Sequence, residues 1–282
     1  MNFFKNKFYL SLTVGILSLA LLVSILWAGG FIASYTDRET ESKTIKVLTV
    51  GNSFADDAVS FLSEIAESVP GYSIHYTKAN IGGCSLAKHV SLISACEEDS
   101  TLKPYAKEYC LKDLLQADSY DFVTIQQVSS MSFKWESFQP YAGELIEFIR
   151  EYQPQTEIII QQTWAYPNVT KLEEWGITYN EMHAGLVESY KRLASGYKMR
   201  ILPVGEAIYN AYQQDSTLNL WRADVHHANE NGRYLAGCVW FGTMTGVSPK
   251  KVKFIPEGMD EKIAAFLRKM ADSEIKKQKR TS

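Results

Sequence analysis

Residues 45–58 read IKVLTV, then GNSF, then ADDA, and the fold class can be inferred from this order. The first six residues are mostly apolar and β-branched, as in a strand that is buried on both faces of a parallel sheet. A turn of four residues, 51–54, separates them from Ala55, where a helical pattern of apolar residues begins. A strand that leads within a few residues into a helix is typical of a β–α–β unit. We therefore expect an α/β domain that begins near residue 44.

The same alternation of short strands and longer helices continues along the chain. Apolar residues recur three and four apart in the segments between the candidate strands, which predicts helices there. The candidate strands are Ile45–Val50, Tyr72–Thr77, Asp121–Gln127, Glu157–Gln162 and Arg200–Val204. The candidate helices are Ala55–Ser68, Ser85–Cys96, Phe138–Tyr152, Ile177–Ala194, Asn231–Gly242 and Asp260–Lys276. This order predicts a central parallel sheet of about five strands with helices on both faces.

The N-terminal region differs from the rest of the chain. Lys5 and Lys7 precede a run, residues 8–36, that contains no charged residue. A helix needs roughly 20 apolar residues to cross a bilayer, so we predict a membrane anchor, with a cleaved signal peptide as the alternative. The two lysines before the span place the remaining chain outside the cytoplasm, either membrane-anchored or, after cleavage, secreted or periplasmic. The predicted division is anchor or signal peptide 1–36, short linker 37–43, one domain 44–275 and basic tail 276–282.

Composition narrows the choice of partners. The chain has 29 Lys and Arg against 32 Asp and Glu, so it has no surplus of positive charge for binding nucleic acid. Its four cysteines include no CxxC pair, which argues against a zinc ribbon or a disulfide-rich scaffold. Outside the cytoplasm disulfides become possible. Four cysteines allow three complete pairings, and free buried thiols are the alternative.

Ser53 follows directly after the first predicted strand. The ligand crevice of a parallel sheet lies beyond the carboxyl ends of its strands, so Ser53 lies at the mouth of that crevice and beside a helix N-terminus. Backbone N–H groups there would stabilise negative charge. The alternative is that Asn52 or Ser53 only caps the helix.

A second group of polar residues, Asp224 and His227, lies near the other end of the domain. They are three residues apart, so the carboxylate can accept a hydrogen bond from Nδ1 of His227. Nε2 is then free to take a proton from a serine hydroxyl. Together with His226 the same residues could instead ligate a metal, but the close spacing strains a shared ion, and we predict no metal site.

These blocks resemble the SGNH hydrolases, also called the GDSL esterase and lipase superfamily. The resemblance rests on GNSF at 51–54, on NIGGCSL at 80–86, on the polar end of the third strand and on the D-x-x-H of residues 224–227. It implies a three-layer, flavodoxin-like α/β sandwich. It also implies Ser53 as nucleophile, His227 as general base and acid, and Asp224 as the residue that orients His227. The oxyanion hole would combine the backbone N–H groups of Ser53 and Gly83 with a side-chain amide from the third block.

Two blocks depart from the family pattern. Asn52 stands where the commoner GDSL form has Asp, and the third block lacks the usual G-x-N-D. A glutamine amide can donate the same hydrogen bond, and the alternation of side chains along a strand favours Gln127 over Gln126. The alternative is that both glutamines bond neighbouring loops, and that water or Asn80 completes the hole.

The end of the fourth strand offers aromatic rings and amides together. Trp164 and Tyr166 could stack on a sugar ring while Gln162 bonds its hydroxyl groups, although such aromatic residues are also common in packed cores. We count Asn52 and Gln126 among the substrate-binding candidates as well.

These residues together predict an exported serine esterase or deacylase without a cofactor. We expect it to hydrolyse small acyl esters, above all acetyl esters on carbohydrates, through an acyl-enzyme. Two alternatives remain open: a membrane-anchored polysaccharide O-acyltransferase with the same triad, and a catalytically inactive glycan-binding module on the same fold.

Overall fold

The computed structural model describes residues 43–281. The expected N-terminal anchor or signal peptide lies outside this range, so it stays a prediction. Within residues 43–281, no helix combines the length and apolarity needed to cross a bilayer.

Five parallel strands form the centre of the domain, as the sequence pattern predicts. They are β1 (Lys43–Gly51), β2 (Tyr72–Asn80), β3 (Phe122–Ile125), β4 (Glu157–Gln161) and β5 (Arg200–Leu202). Their order in the sheet is β2-β1-β3-β4-β5, and every neighbouring pair is parallel. The register pairs Gly51 with Asn80 and Val50 with Ile125, so the loops after β1, β2 and β3 leave the sheet side by side. Every loop that follows a strand therefore emerges at one edge, the carboxyl edge.

Ten α-helices of the described residues cover this sheet. They are α1 (Ser53–Val59), α2 (Leu62–Glu67), α3 (Leu86–Glu98), α4 (Leu111–Ala117), α5 (Tyr141–Tyr152), α6 (Val169–Trp175), α7 (Tyr179–Tyr197), α8 (Val204–Gln214), α9 (Glu230–Thr245) and α10 (Glu261–Thr281). Short 3₁₀ helices occupy Trp135–Phe138 and Pro249–Lys251. One group packs α9 against α1, α2, α8 and α10, and a second packs α5 against α3 and α4. With the sheet between them, these groups make the expected three-layer α/β sandwich.

The helix α9 forms the centre of the first group. Its buried side chains include Tyr234, Leu235, Val239, Trp240 and Phe241, so it is apolar around most of its circumference. A helix of this kind is stable only when other elements surround it, here the sheet on one side and α10 on the other. It begins at Glu230, directly after the D-x-x-H segment, and therefore fixes the end of that segment.

Several predicted boundaries are wrong. The candidate helix 55–68 is two helices, α1 and α2, and α4, α6 and α8 were not predicted. Val204 begins α8 instead of ending β5, because Pro203 has no N–H for the ladder and stands as the N-cap residue. The basic tail is not a separate segment, since α10 continues through residues 276–281.

Candidate active site

The turn after β1 is built around Asn52, which caps α1. Its Oδ1 accepts a hydrogen bond from the backbone N–H of Phe54 at 3.1 Å, and its Nδ2 donates to the carbonyl of Cys84 at 2.9 Å. Asn52 is therefore the helix cap, and Ser53 is free to present its hydroxyl. The expectation that Asn52 binds substrate is wrong, because its side chain is 1% exposed and both of its polar atoms have protein partners.

Ser53, His227 and Asp224 form one continuous row of hydrogen bonds. Oγ of Ser53 lies 2.9 Å from Nε2 of His227, and Nδ1 of His227 lies 2.7 Å from Oδ2 of Asp224. The carboxylate can only accept, so Nδ1 carries the proton and Nε2 accepts from the serine hydroxyl. The three predicted residues thus meet in the geometry in which an imidazole can remove the serine proton.

Asp224 is held ionised by the loop that contains it. Burial acts to raise its pKa, but hydrogen bonds from the backbone N–H groups of His226 and His227 and from the His227 ring outweigh it, so the pKa lies well below its usual range. Val225 adopts a left-handed backbone conformation, φ +55°, within this loop. This conformation is costly for a β-branched residue, so the surrounding structure must impose it. Its result is that one carboxylate faces two backbone N–H groups and one imidazole.

The neighbouring histidine, His226, stands outside this row. Its ring packs against that of His227, with centroids 4.0 Å apart, and its Nδ1 lies 3.2 Å from the carbonyl of Asp224. Ligand atoms of Asp224, His226 and His227 lie within 4.8 Å of one another, so they could also face a metal ion. However, the Asp224 oxygens already accept three N–H groups, and Nε2 of His227 faces Ser53. This arrangement favours proton transfer over metal ligation.

A buried carboxylate, Asp57, joins the two halves of the site. It lies on α1, one helical turn after Ser53, and its side chain is 3% exposed. Its oxygens accept hydrogen bonds from the backbone N–H of Ala228 at 3.0 Å, from Nε of Arg233 at 3.0 Å and from the guanidinium of Arg222. In the sequence, Asp57 lies in the first turn of a predicted helix, where an acidic side chain complements the helix dipole, so its position alone does not single it out as a site residue. The available signal was the pair of arginines, one on each side of residues 224–227.

The loop after β2 lies beside the serine. The backbone N–H of Ile81 donates to the carbonyl of Gly51 at 3.1 Å, and the bond from Asn52 to Cys84 ties the far end of the loop to the same turn. Gly83 adopts φ +66°, and a Cβ atom there would meet nothing within 4 Å. Glycine is needed for its backbone conformation, and the space beside it is open. Within residues 43–281, the backbone N–H groups of Ser53 and Gly83 donate to no other group.

The two glutamines after β3 do not complete an oxyanion hole. Nε2 of Gln127 donates to the carbonyl of Ser137 at 2.7 Å, and its Oε1 accepts from the backbone N–H of Leu86 at 3.0 Å. Nε2 of Gln126 donates to Oδ1 of Asn52. Both side chains are buried, so the predictions of Gln127 as oxyanion donor and of Gln126 as substrate ligand are wrong. The alternative that both bond neighbouring loops agrees with the structure.

Asn80, the other side chain considered for the oxyanion hole, is also occupied. Its Nδ2 donates to Oδ1 of Asp56 at 3.0 Å, and its Oδ1 accepts from the hydroxyl of Thr49 at 3.0 Å. Two backbone N–H groups, those of Ser53 and Gly83, thus remain as the predicted oxyanion donors.

The expected sugar platform is part of the core. Trp164 is fully buried and stacks on Phe54 with ring centroids 4.0 Å apart, while its Nε1 donates to the carbonyl of His226 at 2.9 Å. Tyr166 is 3% exposed, and Oε1 of the buried Gln162 accepts from the backbone N–H of Glu206 at 2.9 Å. The substrate-binding predictions for Trp164, Tyr166 and Gln162 are therefore wrong. Trp164 instead contacts both parts of the site, Phe54 in the serine turn and His226 in the histidine loop.

The fold of this domain also occurs in a solved structure of another protein. The order of the five parallel strands and the helices that flank them are those of an SGNH-hydrolase fold. A protein from Slackia heliotrinireducens described as a candidate SGNH hydrolase has this fold: its TM-score is 0.55 at 21% identity, over 72% of this chain and 100% of that one. A search of curated proteins found no match.

Residues 46–274 match the family model "Domain of unknown function (DUF4886)", and the chain belongs to that family. The crystal structure of a DUF4886 family protein from Bacteroides uniformis is similar, with a TM-score of 0.75 and 30% identity over 83% of this chain and 95% of that one.

Proposed function

We propose that this protein is an exported serine esterase or deacylase that removes small acyl groups, in particular acetyl, from hydroxyl groups of carbohydrates. The observation that supports this most directly is the hydrogen-bonded row from Ser53 through His227 to Asp224. A serine hydroxyl is a poor nucleophile unless a base removes its proton, and the imidazole stands where it can do so.

In the first half of the reaction, Oγ of Ser53 attacks the ester carbonyl as Nε2 of His227 takes its proton. The carbonyl oxygen becomes an oxyanion, which the backbone N–H groups of Ser53 and Gly83 stabilise by hydrogen bonding. The ionised Asp224 stabilises the imidazolium that forms. The imidazolium then gives its proton to the leaving alcohol, which departs and leaves an acyl group on Ser53.

In the second half, water replaces the alcohol. Nε2 of His227 takes a proton from this water, which attacks the acyl carbonyl. The second tetrahedral intermediate collapses, Oγ of Ser53 regains its proton and the carboxylic acid leaves. In this cycle Ser53 serves as the nucleophile and His227 as the group that takes up and returns the proton.

The packing around Ser53 favours a small acyl group and a large alcohol. Phe54, the residue after the serine, stacks on the fully buried Trp164, so core side chains fill the interior next to Ser53 and leave little room for a long acyl chain. No atom lies within 4 Å of the position that a Cβ would take at Gly83, so this side of the site has room for an alcohol larger than the acyl group. A sugar hydroxyl could also accept the acyl group in place of water, which would make the protein an O-acyltransferase; no observation favours this second candidate.

The experiment that tests the proposal compares full-length wild type with Ser53→Ala, His227→Ala and the matched control His226→Ala. Hydrolysis of 4-nitrophenyl acetate and butyrate, and labelling by a fluorophosphonate, are measured on protein shown to be folded by circular dichroism. We expect losses of about 10³-fold or more for Ser53→Ala and His227→Ala, retained activity for His226→Ala, and the label on Ser53. Acetylated xylan with and without an added sugar acceptor then separates hydrolysis from transfer.

Two results would contradict the proposal. Near-normal turnover in Ser53→Ala would exclude this serine as nucleophile. Neither label nor turnover in folded wild type would point instead to a glycan-binding module on the hydrolase fold.

A further inference from the structure

Two cysteines face each other across the loop between α3 and α4. Cys96 lies in the last turns of α3, and Cys110 is the N-cap residue of α4. Both thiols contact the same carbonyl oxygen, that of Leu102, with Sγ–O distances of 3.7 Å for Cys96 and 3.1 Å for Cys110. Because the two sulfur atoms share one acceptor, a small movement of the side chains or of the loop would bring them into bonding distance.

The thiol of Cys110 also affects the pKa of Cys96. Burial, and after it a hydrogen bond with the thiol of Cys110, raises the pKa of Cys96 to about 12. The other two cysteines have no such partner among residues 43–281. Cys238 is buried within α9, and the thiol of Cys84 donates a hydrogen bond to the carbonyl of Ser85 at 3.7 Å.

We propose that Cys96 and Cys110 are a modification site, at which a thiol oxidant forms one intramolecular disulfide that closes the loop 97–109. Of the three complete pairings that four cysteines allow, two contain no Cys96–Cys110 bond, and the structure disfavours them. The site accepts a small disulfide such as oxidised glutathione, or the disulfide of an oxidoreductase.

The chemistry is two successive thiol–disulfide exchanges. One protein thiolate attacks a sulfur of the oxidant, which forms a mixed disulfide and releases one thiolate of the oxidant. The second protein thiolate attacks the protein sulfur of this mixed disulfide, forms the Cys96–Cys110 bond and releases the other oxidant thiol. Two electrons pass to the oxidant, and the two protein thiols lose their protons.

The oxidant has a route to the pair. Both cysteines line an open cavity of about 180 Å³, together with Glu97, Ser100, Lys103 and Phe148. Cys96 is partly exposed, whereas Cys110 is buried, so an oxidant in the cavity reaches the sulfur of Cys96 more easily than that of Cys110.

A Cys96–Cys110 disulfide would stabilise a loop whose hydrogen bonds reach the turn that contains Ser53. The loop contains Ala106 and Lys107, both in left-handed conformations, with φ of 51° and 61°. It also contains Tyr105, whose hydroxyl donates to Nδ1 of the buried His89 at 2.9 Å. Nε2 of His89 in turn donates to the carbonyl of Gly51 at 3.1 Å, two residues before Ser53. A disulfide therefore fixes a loop that is linked through two side chains to the strand end that carries the serine.

The test counts thiols and maps the bond in the full-length protein. The protein is equilibrated with glutathione buffers of increasing oxidised fraction, denatured, blocked with N-ethylmaleimide and weighed by mass spectrometry. Four adducts mark the reduced protein, and we expect two at the oxidising end. Trypsin cleaves after Lys107 but not between Lys103 and Pro104, so the bond should join peptide 89–107 to peptide 108–112.

Two variants serve as matched controls. Cys96→Ser should keep three adducts at every buffer composition, whereas Cys84→Ala should form the same cross-linked peptides as wild type. We also expect the oxidised wild type to unfold about 5 °C higher than the reduced protein, and Cys96→Ser to lose this difference.

Four adducts under all conditions, or a bond that involves Cys84 or Cys238, would overturn the proposal. Because the assay reads thiols and not turnover, its outcome is independent of the proposed esterase activity.

Discussion

The carboxylate of Asp57 accepts a hydrogen bond from the backbone N–H of Ala228, the residue after His227, at 3.0 Å. Asp57 belongs to the helix that Ser53 begins, so this bond fixes the loop of the base to the helix of the nucleophile. Arg222 and Arg233 pair with the same carboxylate from the two sides of that loop. The relative position of Ser53 and His227 therefore depends on a residue that lies outside the Ser–His–Asp row.

We expect Asp57→Ala to lower kcat for ester hydrolysis while KM changes little, because His227 loses the anchor of its loop. The free energy of unfolding should fall by about 3 kcal/mol, since two arginines lose a buried partner. Asp56→Ala is the control: Asp56 forms an exposed pair with Lys78 and accepts one hydrogen bond from Asn80, and its loss should cost about 1 kcal/mol. Urea unfolding measures the free energy of unfolding of both variants, and steady-state kinetics measures their kcat and KM. An unchanged kcat in Asp57→Ala would show that Asp57 does not position His227.

Asp224→Asn should reduce kcat by about 10³- to 10⁴-fold without unfolding the domain, because an amide no longer selects the tautomer in which Nε2 faces Ser53. The low pKa of the Asp224 carboxyl, set by its hydrogen bonds, keeps it ionised when the pH falls below 5. Loss of wild-type activity between pH 7 and 5 should therefore not reflect protonation of Asp224. A kcat for Asp224→Asn within tenfold of wild type would contradict its role.

Gly83→Ala should lower kcat by about tenfold or more, because the left-handed backbone that aims its N–H is strained for alanine. Gly82→Ala is a closely matched control, since a Cβ at either position meets nothing within 4 Å and only Gly83 has a positive φ. Equal kcat values for the two variants would argue against an oxyanion contact at Gly83.

Stability should decrease on acidification because His89 is buried without charge. Burial lowers the pKa of His89 from 6.5 to about 4. Between these two pH values His89 is therefore protonated in the unfolded chain but not in the folded chain. The contribution of neutral, buried His89 to the free energy of unfolding is complete above pH 6.5. It is lost as the pH falls to 4, which lowers the free energy of unfolding by about 3 kcal/mol. Urea titrations at pH 7, 6, 5 and 4.5 should show this decline, and His89→Gln should be less stable at pH 7 but decline less steeply. A wild-type stability that is flat between pH 7 and 4.5 would contradict this.

Trp164→Ala should destabilise the domain by about 3–5 kcal/mol, because it removes a fully buried ring that stacks on Phe54. A residue that only bound sugar would leave stability unchanged and raise KM for a glycan ester alone. Thermal unfolding of Trp164→Ala, together with KM for acetylated xylan and for 4-nitrophenyl acetate, separates these two roles.

The strands and the reacting residues could be predicted because each depends on local pattern. The apolar runs at β1 and β4 match the structure within a few residues, and the spacing of Asp224 and His227 alone predicts their hydrogen bond. The position of Ser53 follows from topology, since the loops after parallel strands meet at one edge of a sheet.

The amide and aromatic side chains could not be predicted because they lie just beyond the ends of strands. The period of two that favoured Gln127 applies inside a strand, but β3 ends at Ile125, so the alternation no longer fixes where Gln126 and Gln127 point. Trp164 likewise follows the end of β4, and its burial depends on Phe54, a contact across 110 residues of sequence that no local pattern contains.

Ser53 and His227 meet although 174 residues separate them in the chain. The serine is made early in synthesis and the histidine late, so a growing polypeptide carries the hydroxyl long before it carries the base. On the proposed mechanism, a chain that has not yet been synthesised as far as residue 227 does not hydrolyse esters, and neither does a chain cut between residues 53 and 227 whose pieces separate. Esterase activity therefore depends on complete synthesis, because acyl transfer begins only after nearly the whole domain has been made and has folded.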